Sequence, residues 1–152
     1  MIIVEYLSKS YNRFLQDMSQ HTTHPRRFLI TFNGASPSDL SAATDDIRGY
    51  SSKTVQLSSA IADKESQTHI AELFSKARNS RDIIQFTEAD LLFEKKTAVR
   101  NPHGQESSFD INNLFKNIAK HNGIVILATE KAQTLTASMS SKVDVVIRFP
   151  SA

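Results

Sequence analysis

"DIIQFTEADLLFEKK", residues 82–96, opens apolar, reaches acids at Glu88 and Asp90, and turns basic at Lys95 and Lys96. Ile83, Ile84 and Phe86 have the character of a buried strand, and the acids fall where that strand would leave its sheet. Acids at the end of a buried strand are how nucleotide hydrolases hold magnesium and activate water. Such an enzyme also needs a Gly-rich loop ending in Gly-Lys-Ser or Gly-Lys-Thr. No stretch of this chain has that ending.

Outward from this stretch, short apolar runs recur and read as further strands. They are "FLITF" (28–32), "TVQL" (54–57), "IVILAT" (124–129) and "VDVVIRF" (143–149). Between them the spacing turns helical. Ile70, Leu73, Phe74 and Ala77 form one stripe at i, i+3, i+4 and i+7. Ile111, Leu114, Phe115 and Ile118 form another, stopped by His121-Asn122-Gly123. Tyr6, Leu7, Phe14 and Leu15 predict a helical N-terminal segment, residues 1–27, ahead of a domain over 28–152. Strands that alternate with helices need crossover connections, so the expected class is α/β with a parallel sheet covered on both faces. "IVILAT" is apolar throughout, as a strand buried on both sides should be. Residues 94–108, rich in turn formers, read as a surface loop.

Composition narrows the function classes. The length fits one domain with a real core, and 18 basic against 16 acidic residues is too even to argue for nucleic acid. No cysteine is present, which excludes disulfides, thiolate metal sites and a cysteine nucleophile. No apolar run approaches the ~18 residues of a membrane span, and the first residues are too polar for a signal peptide. A cytoplasmic protein is expected. His21 and His24 are the nearest approach to a metal pair, but a loop position beside Pro25 is the simpler reading, and no metal is expected. No Gly-x-Ser-x-Gly elbow supports a hydrolase triad.

The motifs in their order resemble the core of an AAA+ ATPase, from about Phe28 to Pro150. Thr87-Glu88-Ala89-Asp90-Leu91-Leu92-Phe93 is similar to the Walker B strand end, usually Asp-Glu-Ala-Asp. Ile126-Leu127-Ala128-Thr129-Glu130 is similar to the sensor-1 strand, usually Ile-Leu-Ala-Thr-Asn. Ser141-Lys142 stand where a pair of arginines, the arginine fingers, usually precede the last strand. The nearest resemblance within the family is to AAA+ proteins of phage-tail-like contractile injection systems. The resemblance implies a three-layer αβα sandwich with a five-stranded parallel sheet of P-loop NTPase type. The chain stops at Ala152, so the C-terminal helical lid with its sensor-2 arginine is expected to be lacking.

Each departure from the family pattern falls on a position that does chemistry. Walker A aligns with Gly34-Ala35-Ser36-Pro37-Ser38-Asp39-Leu40-Ser41, where Gly34 and the hydroxyl of Ser41 survive. Leu40 replaces the lysine and Asp39 the glycine before it. Pro37 has a fixed φ and no N–H to donate to a phosphate. Ser36-Pro37-Ser38-Asp39 reads instead as a helix start, with Ser at N-cap, Pro at N1 and an acid at N3. A carboxylate there satisfies the positive helix end and repels a phosphate, by about 4 kcal/mol for unit charges ~4 Å apart at an effective dielectric of ~20. Thr87 replaces the magnesium-orienting aspartate, and Glu130 replaces the sensor-1 asparagine. Glu88 keeps the place of the water-activating glutamate, and Ser141 and Lys142 lack the arginine fork.

These losses imply a catalytically inactive AAA+-like domain, with Glu88, Asp90, Gly34, Leu40 and Ser41 as vestiges and no cofactor expected. Its expected role is an interaction or assembly module, with an active AAA+ subunit or a component of a contractile-injection-type machine as protein partner. One alternative is a residual ATP binder or weak ATPase, with magnesium held among Ser41, Glu88 and Asp90. A second is nucleic-acid binding through the basic loop of Lys95, Lys96, Arg100 and His103. The plainer reading of Glu88 and Asp90 is solvated pairing with Lys95 and Lys96, and that of residues 36–41 is ordinary helix capping.

Overall fold

A computed structural model describes residues 2–21, 28–51, 55–58, 66–80, 82–87, 89–92, 111–121, 123–135 and 140–150. In chain order the elements are β1 (Ile2–Glu5), α1 (Lys9–His21), β2 (Phe28–Asn33), α2 (Pro37–Ser51) and β3 (Val55–Ser58). They continue with α3 (Ser66–Ser80), β4 (Ile83–Phe86), a single 3-10 turn (Ala89–Leu92), α4 (Ile111–Lys120), β5 (Ile124–Ala128) and β6 (Val145–Arg148). The sheet runs in the order β1-β6-β2-β5-β4-β3, and every pairing is parallel. None of the described helices is long and apolar enough to cross a membrane.

Alternation along the strands divides the core into two layers. On β2, Ile30 and Phe32 face one side and Leu29 the other; on β5, Ile124, Ile126 and Ala128 oppose Val125 and Leu127. Tyr11, Phe14, Leu15 and Met18 of α1 and Ala43 and Ile47 of α2 fill the first layer. Ile70, Phe74 and Ala77 of α3 and Leu114 and Ile118 of α4 fill the second. The distribution follows from strand order. The chain steps one way across the sheet through β1, β2 and β3, then reverses through β4 and β5. Crossovers of one hand put the helices of opposite steps on opposite faces. The α/β three-layer expectation therefore stands.

All five anticipated strands are present, and the sheet has a sixth. Ile2–Glu5 is a strand on the edge of the sheet beside β6, not part of a helix. Only Val4 of the four is buried, so no alternating pattern announced it; its partner β6 lies more than a hundred residues away. Tyr6 and Leu7 belong to the turn that follows, closed by Ser8 N–H donating to the Glu5 carbonyl at 3.1 Å. Tyr6 still serves the core, its ring 5.0 Å from Tyr11 and 4.5 Å from Phe149. Phe14 and Leu15 lie in α1 as expected. The anticipated strand over 143–149 is shorter, because Asp144 works as a brace ahead of it. Its backbone N–H donates to Leu29 O, its Oδ2 accepts from Leu29 N–H at 2.8 Å, and its carbonyl accepts from Ile2 N–H.

Candidate functional site at the carboxyl ends of the strands

In an open parallel sheet, ligands bind outside the carboxyl ends of the strands, where neighbouring connections leave in different directions. Here that place lies between β2, β5 and β4. The chain leaves β2 through the turn at Gly34 and enters α2 on one face, while the connection from β4 leads to α4 on the other. Residues 34–41, Thr87, Asp90 and Glu130 all follow strand ends here. The residues that the resemblance aligns with Walker A, Walker B and sensor 1 thus follow strand ends that share one rim.

The start of α2 is the capped helix that its sequence describes. Ser36 Oγ accepts the Asp39 N–H at 3.2 Å, and the Ser36 carbonyl accepts the Leu40 N–H at 2.8 Å. Pro37 opens the helix. Leu40 turns partly inward onto the first core layer. Ser41 is exposed on the helix surface.

What lies over the Gly34 turn is the chain's own segment after β5. Gly34 has φ +76°, which glycine adopts without a Cβ penalty. A Cβ there would stand 3.3 Å from the Ala132 Cα, so backbone passes directly above. Thr129 takes the two amides that follow β2: its Oγ1 accepts Gly34 N–H at 3.0 Å and its carbonyl accepts Ala35 N–H at 2.9 Å. Asn33, at the end of β2, makes a two-bond clasp on Gln133. Its Nδ2 donates to the Gln133 carbonyl at 2.8 Å, and its Oδ1 accepts the Gln133 N–H at 2.7 Å.

Asp90 completes the closure from the β4 side. Its carboxylate accepts the N–H of Glu130 at 3.1 Å, the N–H of Lys131 at 3.0 Å and the Nε2 of Gln133 at 3.2 Å. Both oxygens are thus engaged by donors of residues 130–133. The Asp90 side chain is a cap on this segment, which its identity as a strand-end acid did not specify. Among the described residues no group of three His, Asp or Glu side chains is arranged to hold a metal ion.

The remaining anticipated residues lie elsewhere. Ser141 and Lys142 precede β6, at the amino ends of the strands and away from this rim. The Lys142 ammonium stands 5.3 Å from the centre of the Phe115 ring, a cation–π contact. Glu88, His24 and the loop residues Lys95, Lys96, Arg100 and His103 lie outside the described residues, so the geometry of Glu88 beside Glu130 and of the basic loop does too. Asn33 and Gln133 were missed by sequence reasoning. An Asn directly before a strand-end Gly was the available signal, but its partner stands 100 residues further on.

These features define a class: a parallel α/β domain of nucleotide-hydrolase architecture whose central-strand turn is covered by its own chain. The family model for the ATPase family associated with various cellular activities (AAA) matches residues 39–151, and the chain belongs to that family. The match begins inside α2 and leaves out residues 34–38. No curated protein matches the chain.

Proposed function

We propose that this AAA domain works without nucleotide, as an interaction or assembly module. One observation carries the reading: residues 129–133 cover the turn where a phosphate cradle would form. The Gly34 and Ala35 amides donate to Thr129, the Asp39 amide donates to Ser36, and Pro37 has none. A phosphate nest works because several free N–H groups converge on one anion. Here a phosphate would have to break these bonds, displace Ala132 and approach the Asp39 carboxylate. The Asp90 carboxylate, which a magnesium ion would need free, holds three donors.

The partner that fits this reading is a protein, either an active AAA subunit beside which an inactive copy can sit or a component of a larger machine. Titration calorimetry with ATP and with ADP, each with magnesium up to millimolar ligand, tests the nucleotide half of the proposal. No saturable heat is expected. Saturable binding would bring the residual-ATPase reading forward, and Glu88→Gln would then have to abolish any turnover. Affinity capture from the source cell with mass spectrometry tests the partner half, and recovery of no AAA protein or machine component would count against it.

A further inference from the structure

Four large hydrophobic side chains are exposed among the described residues, and three of them lie within six positions at one edge of the sheet. Ile2 is 63% exposed, Ile3 51% and Leu7 70%; the fourth, Tyr50, is on α2. Leu7 sits at φ 64°, a left-handed conformation in which a residue with a Cβ is strained. Glycine would be the low-energy choice in that turn, and a leucine projects into solvent instead.

The strand beside these residues has an unpaired edge. In β1 the amides of Ile2 and, beyond the strand, Tyr6 donate toward β6, to Asp144 O and Arg148 O. Alternation along the strand then turns the N–H and C=O of Ile3 and the N–H of Glu5 outward, while the Glu5 carbonyl already accepts from the N–H and the Oγ of Ser8. Among the described residues no strand pairs with that side. Natural proteins usually protect such an edge with charge, a bulge or proline. Here the one charge, Glu5, is engaged by Arg148 of β6, directly opposite in register.

We infer that β1 is a self-association edge, and that a second copy of this chain adds its own β1 in antiparallel register about a two-fold axis at Ile3. The register follows from the side chains. With the axis at Ile3, Ile3 and its copy exchange both outward hydrogen bonds. Ile3 faces its own copy on one side of the sheet, and Ile2 faces Val4 of the second copy on the other. All cross-strand neighbours of this central triplet are apolar, and directly opposed side-chain pairs are the unit of sheet stabilisation; the exposed area comes from Ile2 and Ile3, since Val4 is already buried in its own core. With the axis at Val4, Ile3 would oppose a carboxylate. With the axis at Glu5, two carboxylates would stand opposite each other. Only with the axis at Ile3 does each of Ile2, Ile3 and Val4 meet an apolar residue of β1 with no carboxylate opposed, and the two sheets then join into one of twice the width. This inference is independent of whether the domain binds nucleotide.

The chain has no cysteine, so a single introduced cysteine reports the register. Two hydrogen-bonded residues opposite each other have Cα atoms about 5.5 Å apart, within reach of a disulfide. Ile3→Cys is expected to form a covalent dimer on mild oxidation of the full chain. Glu5→Cys, offset from its copy by about 14 Å along the strands at ~3.4 Å per residue, is expected not to. Sedimentation of the unmodified chain over a concentration series is expected to show a dimer. Ile3→Lys, at an exposed position, should weaken that dimer about tenfold or more by placing like charges opposite each other, with the circular dichroism spectrum unchanged. Tyr50→Ser should leave it intact. A chain that stays monomeric at every concentration overturns the inference. So does a dimer that survives Ile3→Lys, or one that crosslinks through Glu5→Cys as readily as through Ile3→Cys.

Discussion

Thr31 is buried on β2, and its hydroxyl meets no hydrogen-bond partner among the described residues. An unpaired buried hydroxyl costs desolvation without return. Thr31→Val keeps the β-branched shape that the strand favours and is expected to stabilise the fold by about 1 kcal/mol, read by urea denaturation. A loss of stability would mean that the hydroxyl has a partner after all. Gly123 carries the opposite kind of constraint. A Cβ there would stand 2.7 Å from the Nε2 of His121, whose ring is buried, packs edge-on against Phe74 and donates to the Asp82 carbonyl at 3.1 Å. Gly123→Ala should cost about 1–3 kcal/mol by overpacking. An unaffected midpoint would show that the ring can move aside freely. Gly123 was legible in the sequence as a helix stop; its second duty under the His121 ring was not, because the ring's position depends on β4.

At the scale of elements, α2 is where local sequence and structure agree most closely. Ser36, Pro37 and Asp39 specify its first turn by short-range chemistry alone. Ser36→Ala should therefore cost about 1 kcal/mol, whereas Ser36→Gly, which caps moderately well, should cost only a few tenths. Equal losses from both would point to a role for Ser36 other than capping. By contrast, the sequence predicts helix where β1 lies, because a four-residue edge strand with one buried side chain carries no periodicity of its own. The Asp90 cap was equally hidden. Its position after a buried strand was legible, but its acceptance of the Glu130 and Lys131 amides depends on β4 and β5 lying side by side.

For the whole molecule, stability should decline on both sides of neutrality for named reasons. Burial is the largest influence on His121 and lowers its pKa below the usual 6.5, against the smaller opposing effects of the Asp82 carbonyl and carboxylate. The folded state therefore resists protonation that the unfolded chain accepts. This contribution is intact above about pH 6.5 and is lost as pH falls from there through the folded value. Tyr11 acts in the other direction. Burial first, then the hydrogen bond that its hydroxyl donates to Asp46 at 2.8 Å, raises its pKa well above the usual 10.0. Its contribution is intact below pH 10 and is lost as pH rises beyond it. Each group adds a slope of at most about 1.4 kcal/mol per pH unit. In a denaturation series across pH, His121→Gln should flatten the acid limb and Tyr11→Phe the alkaline limb. Unchanged limbs would remove these residues from the explanation.

The class of fold, the five strands β2 to β6, the stripes of α3 and α4 and the cap of α2 are all legible in the sequence. Each of these is written in periodicity or in residues only a few positions apart, and the physics that enforces them is local. Residues 34–41, Asp90 and Glu130 follow strand ends on one rim because parallel strands carry all their exits to the same end. What that rim does with its polar groups depends on contacts between distant parts of the chain. Asn33 clasps Gln133, Thr129 takes the amides of Gly34 and Ala35, and Asp90 holds residues 130–133. These partners are about 40 to 100 residues apart, and no local pattern encodes a hydrogen bond across that distance. The same holds for β1, whose strand conformation comes from the neighbour it joins and whose open edge is apparent only once the order of the sheet is known.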